Sequence, residues 1–596
     1  MAIVLLDKVT LYGPAAEKGD VLEALQQLGC LHLVDLRPGE GRGAEVAASD
    51  TGARAALQYL EDSPVRRRPQ TRAGVDFQAL VKEALEVRDR SHALGEEQQQ
   101  VRRGIADVEP WGDFEVPDWG REGALRLWFY VVPLHKLDQL KDVDAPWSVA
   151  ARDHRFAYVV VVAAEPPEGM PVAPVTLPPQ RLSALRGRLE EIERELEDLE
   201  YRRIGLTLHR EALAASLDEA DDRAARKRAG LAALERDQLF ALRGWASAAQ
   251  VPALRKLAAD RRLALTVEPP GPGDAPPTLF DNPPALRGGE GMVTFYRTPS
   301  YRMWDPSRTV FFSFAVFFGM IFSDAGYGLV LGLFTLAMWR RLGRSPGSAA
   351  ARGVLVALVA SSILYGVLVG SYFGLEPPAG SWLARARVID AGNLNQMMLI
   401  SVGVGVLHLT SANLITAWQR RKSARALSAV GWAIVLLSGF LAGLAKSTPG
   451  LARWASVGFG GLAFGGLLVL LFSSSHPLSF APRALLGRLV EGLHGVTEGS
   501  KAFGDVLSYL RLFALGLASI KLAEAFNGLA ATSFAHRGAG ILLGILVLLV
   551  GHVINLAMGI MGGVVHGLRL NVIEFFNWSL PEEGEQFHAF SRKAAS

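Results

Sequence analysis

The chain has 596 residues and a net charge of +3; half of its residues are hydrophobic and a fifth are charged. So even a charge balance gives no case for nucleic-acid binding, and a single cysteine, Cys30, excludes an internal disulfide or a cysteine-cluster metal site. The two populations are separated along the chain. Residues 1–305 are rich in Arg, Glu, Asp and Leu, whereas 309–576 consist of long apolar runs broken by Gly, short Arg clusters and isolated ions. This predicts a soluble half joined to a membrane half. The opening "MAIVLLDKVTLYGP" lacks a basic n-region and a long apolar h-region, so no signal peptide is expected and the soluble half is expected in the cytoplasm.

In the soluble half, residues 3–35, 124–167 and 242–270 each read as strand, helix, strand, which suggests small α+β sheets. Long helical patterns lie between them. Leu182, Leu185, Leu189, Ile192, Leu196 and Leu199 recur at spacings of three and four, a heptad seam flanked by Arg and Glu. The helical pattern continues to about residue 238, and a partner pattern lies at 77–105. The expectation is an antiparallel coiled coil with an α+β lobe at each end. The domain reading is 1–71 proximal lobe, 72–122 first coiled-coil helix, 123–177 distal lobe, 178–238 second coiled-coil helix, 239–295 the rest of the proximal lobe with a Pro/Gly-rich linker at 268–291, and 296–596 the membrane domain. There is no G-x-x-x-x-G-K-[ST] phosphate loop, no H-E-x-x-H and no G-x-S-x-G. No catalytic residue, metal or cofactor is therefore expected, and the soluble half reads as a strut that grips other proteins.

Seven apolar runs follow, at 309–339, 353–375, 396–418, 425–445, 452–473, 501–533 and 539–576. The clusters "WRRLGR" (339–344) and "WQRRKSAR" (418–425) should both face the cytoplasm. That requires 309–339 to cross twice, turning at "SDAGYG" (323–328). The prediction is an all-α polytopic domain of about eight passes, with 483–492 as an inside loop and both termini inside; one continuous helix over 309–339 is the alternative. The last two runs exceed what a ~30 Å core needs, so they must tilt or protrude.

Those two runs carry the ions. "VLSYLRLFALGLAS" (506–519) places Arg511 in an apolar run, where a charge costs at least ~2.5–3.5 kcal/mol and arginine does not shed its proton. On a helix, Gly504, Leu507, Ser508, Ala514, Leu515, Ala518 and Leu522 fall on the Arg511 side, a mostly small face along which another chain could pass. On the last helix, Gly551 and Gly562 lie near the Arg569 direction. Glu524, His552, Asn555, His566 and Glu574 are half-channel candidates, polar groups at different depths. At this stage Arg511 could also pair with Glu574 or Glu524, and Arg569 could snorkel to the interface. Asp324 reads as a hairpin residue, and His408 and Asn413 as interhelical hydrogen-bonding groups.

"FFGMIFSDAGYGLVLGLF" (317–334), "GDVLSYLRLFALGLA" (504–518) and "MGGVVHGLRLNVIEFF" (561–576) resemble the membrane subunit of rotary V/A-type ATPases, subunit I, which is similar to eukaryotic subunit a. The resemblance implies a stator that holds two ion half-channels against a rotating proteolipid c-ring bearing a membrane carboxylate. It couples translocation of H⁺ rather than Na⁺ to ATP synthesis or hydrolysis, with the nucleotide handled elsewhere. It implies that Arg511 and Arg569 act in ion translocation. It implies peripheral stalk subunits of the E/G type on the cytoplasmic lobes, a central-rotor cap subunit of the C/d type nearby, and a bacterial or archaeal plasma membrane. On this reading the partner of Arg511 belongs to another chain. One departure stands out: eukaryotic members carry a glutamate about ten residues before the second arginine, where this chain has Gly559. The rival reading is a secondary ion transporter with a cytoplasmic regulatory domain, which should show an internal repeat; none is evident.

Overall fold

The computed structural model describes residues 3–36, 51–68, 76–114, 125–474, 482–536 and 538–593. The expected boundaries at 71/72 and 122/123 lie outside them. The chain divides into two compact units, one of residues 1–12, 30–34 and 242–589 and the other of 13–29, 35–241 and 590–596.

In the first unit, strands from both ends of the soluble half share one sheet. β1 (Leu6–Pro14) and β2 (His32–Val34), separated in sequence by helix α1 (Lys18–Leu28), meet β7 (Leu239–Ser247) and β8 (Ala264–Glu268), separated by α6 (Val251–Asp260); the order is β2-β7-β1-β8. β1 pairs antiparallel with β8, Thr10 opposite Thr266, and β2 with β7, Leu33 opposite Gly244. Gly244 is required there, because a Cβ would sit 2.5 Å from the His32 carbonyl oxygen.

In the second unit, α1 packs on α5 (Arg210–Ala232), with Gln26 Nε2 donating to the Asp222 carbonyl at 3.2 Å. α3 (Phe77–Val108) runs beside α4 (Leu182–Leu206). Ion pairs Arg90–Glu195, Arg188–Glu97 and Arg186–Glu109 show that they are antiparallel. The heptad residues turn inward: Leu182, Leu185 and Ile192 are buried, and Leu189, Leu196 and Leu199 half-buried. The second long helix is not continuous to 238. Buried Thr207 donates to the Ile204 carbonyl and accepts from Arg67 N, a 3-10 turn at Thr207–His209 separates α4 from α5, and β6 (Leu234–Arg236) follows. A helix the sequence reading passed over, α2 (Thr51–Glu61), adds Ala53, Ala56 and Leu60 to the core formed by α3 and α5. At the far end of the helix pair, β3 (Arg126–Pro133), β5 (Phe156–Ala163) and β4 (Trp147–Arg152) form a sheet of order β3-β5-β4. β4 replaces the simple strand-helix-strand expectation. It is an exposed edge strand without an apolar run of its own, and the expected helix is a 3-10 segment, Leu134–Asp142.

The remainder of the first unit is helical. α7 (Arg287–Tyr296) begins inside the Pro/Gly-rich linker expected at 268–291. Its glycines permit close approach: Cβ atoms at Gly288 and Gly289 would run into Val354 and the Ser307 carbonyl. α8 (Ser307–Phe322) and α9 (Ala325–Ala337) are short, with 16 and 13 residues. Among the described residues, six helical segments are long and apolar enough to cross a membrane. They comprise α10 (Pro346–Val369), α12 (Leu394–Gln419), α13 (Ala426–Ser447), α14 (Ala455–Phe472) with the turn before it, α16 (Gly499–Ser508) continuing into α17 (Leu510–Phe534), and α18 (Ala539–Arg569) continuing to Ser579; the short α11 (Trp382–Ala386) precedes α12. Residues 483–492, expected as a loop, lie in α15 (Pro482–Thr497).

Between α8 and α9 the chain reverses. Along α10, Ser361 meets Gly319 of α8 and Gly366 meets Asp324–Ala325, whereas Ile363 meets Gly328 of α9 and Val359 meets Gly332. One arm therefore runs parallel to α10 and the other antiparallel. The turn uses a left-handed Ser323, φ 50°, and the buried Asp324 carboxylate as N-cap of α9. Asp324 accepts from Tyr327 N, Phe373 N, Gly374 N and the Ser371 hydroxyl. Both carboxylate oxygens of Asp324 are thus satisfied, in keeping with a residue that holds a turn.

A phenylalanine row of α8 packs into a glycine row of α18. Phe314, Phe318 and Phe322 lie against Gly567, Gly563 and Gly559, where an added Cβ would stand 3.2, 2.6 and 3.1 Å from the rings. Both rows have a spacing of four, one face of a helix, so the two helices are antiparallel. After Ser579 the chain returns to the β-sheet lobe. Glu585 O accepts from Thr278 N, Phe587 N donates to Thr278 O, and His588 N donates to His32 Nδ1.

Candidate functional site

Arg511 follows a kink. At Tyr509 the helix tightens to i→i−3 bonds, Tyr509 N to Val506 O and Leu512 N to Tyr509 O, which ends α16 and starts α17. The Tyr509 ring is fully buried against α12, where Gly405 leaves room for it, and its hydroxyl is 2.7 Å from His408 Nδ1. With the backbone tightened, Arg511 Nε donates to Ser508 O at 3.1 Å.

The guanidinium has a partner in its own chain. Arg511 Nη2 is 2.7 Å from Glu574 Oε1, with side-chain exposures of 24% and 3%. Of the two own-chain partners that the sequence left open, Glu574 is the one that meets Arg511, and Glu524 pairs with Lys521. Glu574 is presented by a π-helical turn, Leu570–Phe575, that follows Arg569. Such turns are rare, and frequent at functional sites. This one is pinned by Asn571, whose Nδ2 donates to Gly567 O and whose Oδ1 accepts from Ser313, and by Phe575 stacked on His408 at 4.3 Å. It turns Glu574 inward while Arg569 stays exposed, with no hydrogen bond or ion pair among the described residues. His566 lies within electrostatic reach of both arginines. Glu574 Oε2, Arg511 Nη1, His566 Nδ1 and His408 Nε2 are buried and find no partner among the described residues.

The strip on the Arg511 side remains open within the chain: Gly504, Leu507, Ala514 and Ala518 are exposed. The strip expected on α18 is closed at one end, where Gly551 is buried under the Phe526 ring of α17, whereas Gly562 is half-buried and Met558, Val565 and Arg569 on the same side are exposed.

A second polar group lies farther along the same helices. Asn555 Nδ2 donates to the Tyr327 hydroxyl at 3.1 Å and to Ser519 O at 2.9 Å. The Tyr327 hydroxyl is 2.6 Å from His552 Nδ1, and His552 Nε2 is 3.1 Å from Asn527 Oδ1. Asn527 Oδ1 can only accept, so His552 Nε2 donates to it, and the Nδ1 of the neutral imidazole then accepts the Tyr327 proton. Asn527 Nδ2 donates to Phe373 O, on the same backbone segment whose Phe373 N and Gly374 N Asp324 accepts from. Glu524 stays outside: it is exposed and paired with Lys521 at 2.7 Å.

The sequence-derived residues thus fall into two groups, His552 with Asn555, and Arg511 with Glu574, His566 and Arg569. Tyr327, Ser519, Asn527 and Tyr509 were missed, because a hydroxyl or amide in an apolar run carries no pattern of its own. Asp505 had a signal, as a second ion within two turns of Arg511; its carboxylate accepts from Trp578 Nε1 at 2.7 Å.

No protein-family model matches the chain. A V-type ATP synthase subunit I of Chlamydia pneumoniae is 26% identical over 615 residues, spanning 89% of this chain and 86% of the relative. The V-type ATP synthase subunit I 1 of Treponema pallidum (strain Nichols) is 27% identical over 619 residues, 96% of this chain and 97% of the relative. An A-type ATP synthase subunit I of Methanocaldococcus jannaschii is 27% identical over 355 residues, 54% of this chain and 50% of the relative. A crystal structure of the cytoplasmic N-terminal domain of subunit I, homolog of subunit a, of V-ATPase aligns with 44% of this chain and 99% of its own at 19% identity; its TM-score of 0.25 carries no argument about the fold.

Proposed function

The chain is a homologue of subunit I of the V- and A-type ATP synthases, and we propose that it is the stator through which such a rotary machine moves ions across the membrane. The observation that carries this reading is the pair of arginines on the two longest apolar segments, Arg511 half-exposed beside an open strip of small residues and Arg569 exposed without a partner among the described residues. A cation left facing outward from an apolar helix calls for a counter-charge on a neighbouring chain. In this reading the counter-charge is the carboxylate of a proteolipid c-ring that slides past α17 and α18.

The two polar groups supply the half-channels, His552 and Asn555 on one side of the membrane, His566 and Glu574 on the other, with Glu524 at a rim. Arg511 and Arg569 divide them. Two unit charges at 4 Å and an effective dielectric of 20 attract by about 4 kcal/mol, which lowers a carboxylate pKa by roughly 3 units at ~1.36 kcal/mol each. A ring carboxylate must therefore release its ion before it meets Arg511 and can reload only beyond it. The ion is H⁺ in this reading. In this reading six long helices and the α8–α9 hairpin make eight passes, an even number supported by the C-terminal segment, which returns to the sheet lobe after Ser579. The N-terminal half and the C-terminus are then cytoplasmic, and the paired helices α3 and α4 form the coiled coil that reaches the E/G-type stalks, with the C/d-type cap nearby.

Purification from native membranes tests the assignment. A stator should bring with it a ring proteolipid and nucleotide-binding subunits, and the complex in vesicles should take up protons on ATP addition without sodium. A chain that purifies alone and transports without ATP would be a secondary transporter instead.

A further inference from the structure

Beside the arginine site, a polar cleft of about 700 Å³ opens between α12, α13 and α15, lined by Arg420, Arg425, Asn413, Glu491, Glu498 and Trp578. Its tryptophan floor is hydrogen-bonded to Asp505, and Asp505 is within electrostatic range of Glu574. The basic loop at its mouth puts the cleft on the cytoplasmic side of the stator reading, on which this inference rests.

We infer that Glu574 is an exchangeable counter-ion: it neutralises Arg511 while no ring carboxylate is present, and when the ring carboxylate takes its place Glu574 accepts the proton that the ring gives up. The geometry fits a two-for-one exchange. Arg511 binds Glu574 through Nη2 and Nε is taken by Ser508 O, so Nη1, buried and without a partner among the described residues, is free to receive a second carboxylate before the first has left. On the other member, Glu574 Oε2 is likewise without a partner and can take a proton. One guanidinium cannot neutralise two carboxylates in a low-dielectric site, so the pair must keep one proton between them.

The step balances. A protonated ring carboxyl loses its O–H proton and pairs with Arg511, while Glu574 gains that proton and releases the guanidinium. When the ring carboxylate is reprotonated and moves on, Glu574 passes its proton to Asp505 and the cleft and pairs with Arg511 again. In reverse, the same steps load the ring from the cleft. The other groups facing Glu574 are Tyr509, which carries no charge to exchange, and behind it Lys501 over the Trp578 ring and His408 on Phe575. Asp505 is a positioning and relay residue in this scheme.

The test uses the whole complex in vesicles, with ATP-driven proton uptake expressed per assembled complex. Glu574→Gln, which keeps the side-chain shape and an acceptor for Arg511 but does not ionise and so cannot take up and release the proton, is expected to lower that rate at least tenfold, and Glu574→Asp to restore a large share of it. Asp505→Asn is expected to lower it by a smaller factor. Infrared difference spectra of the intact complex should show a protonated-carboxyl band that disappears in Glu574→Gln. A Gln variant that pumps within twofold of the parent, or one that only reduces the amount of complex and leaves the rate per complex unchanged, overturns the exchange and makes Glu574 a structural partner. Arg511→Ala separates the two readings: if it pumps normally the stator reading falls, and if it is dead while Glu574→Gln pumps, only the exchange falls.

Discussion

The groups around His552 and those around Arg511 sit on the same two helices, Asn555 and Arg569 being separated by about 21 Å at 1.5 Å of rise per residue. They differ in how their hydrogen bonds close. Around His552 each donor finds an acceptor, from Asn555 through Tyr327 and His552 to Asn527 and the Phe373 carbonyl, and the neighbouring Asp324 carboxylate is held by four donors. Around Arg511 four buried nitrogen and oxygen atoms have no partner among the described residues, and both members of the ion pair stand at breaks in helix regularity. A closed network fixes one geometry; an open one leaves capacity for a group that arrives from outside. The first region is therefore a rigid wall with a polar lining, and the second is where exchange takes place.

The strongest way to break this contrast is Arg511→Ala. It should abolish ATP-coupled ion uptake in vesicles while a blot still shows an intact complex. Arg511→Lys should recover little, because an ammonium is a point charge that can lose its proton when desolvated. Near-normal uptake by the alanine variant would make the pair with Glu574 merely structural.

An all-or-none difference is expected for topology. A cysteine in place of Ala379, in the loop that follows α10, should react with an impermeant maleimide added outside the cell, whereas one in place of Ser423 should react only after permeabilisation. Equal labelling at both sites removes the assignment of the two polar groups to opposite sides.

In the closed network, Tyr327→Phe deletes the hydroxyl that serves both Asn555 and His552. Leaving buried polar groups unsatisfied costs about 1–3 kcal/mol, so the purified membrane sector should lose several degrees of thermal stability while uptake per surviving complex changes less than twofold. A large loss of rate without loss of stability would mean that the network carries protons rather than walls.

The smallest effect is expected at Glu524, whose exposed pair with Lys521 falls in the class worth about 0–1 kcal/mol. Glu524→Gln should leave both stability and uptake near the parent value. A tenfold drop would move Glu524 from the rim into the path.

What the sequence determined by itself were the features that depend on composition and local period. The division into soluble and membrane halves follows from segregated charge, the inward side of α4 from the three-four spacing of Leu182 to Leu199, and the reversal at Asp324 from a polar turn inside an apolar run. Arg511 was conspicuous for the same reason, a permanent charge where hydrophobicity is otherwise continuous. Tertiary structure decided the rest, because a contact partner distant in sequence leaves no local trace. It set Glu574 of one helix against Arg511 of another, 63 residues away. It covered Gly551 of α18 with Phe526 and made sockets of Gly559, Gly563 and Gly567 for Phe322, Phe318 and Phe314. And it brought Tyr327, an unremarkable residue in its own helix, to the centre of a hydrogen-bond chain that three other helices and loops complete. A lone hydroxyl gains its role from the acceptors that the fold places around it, and the period of its own helix does not contain them.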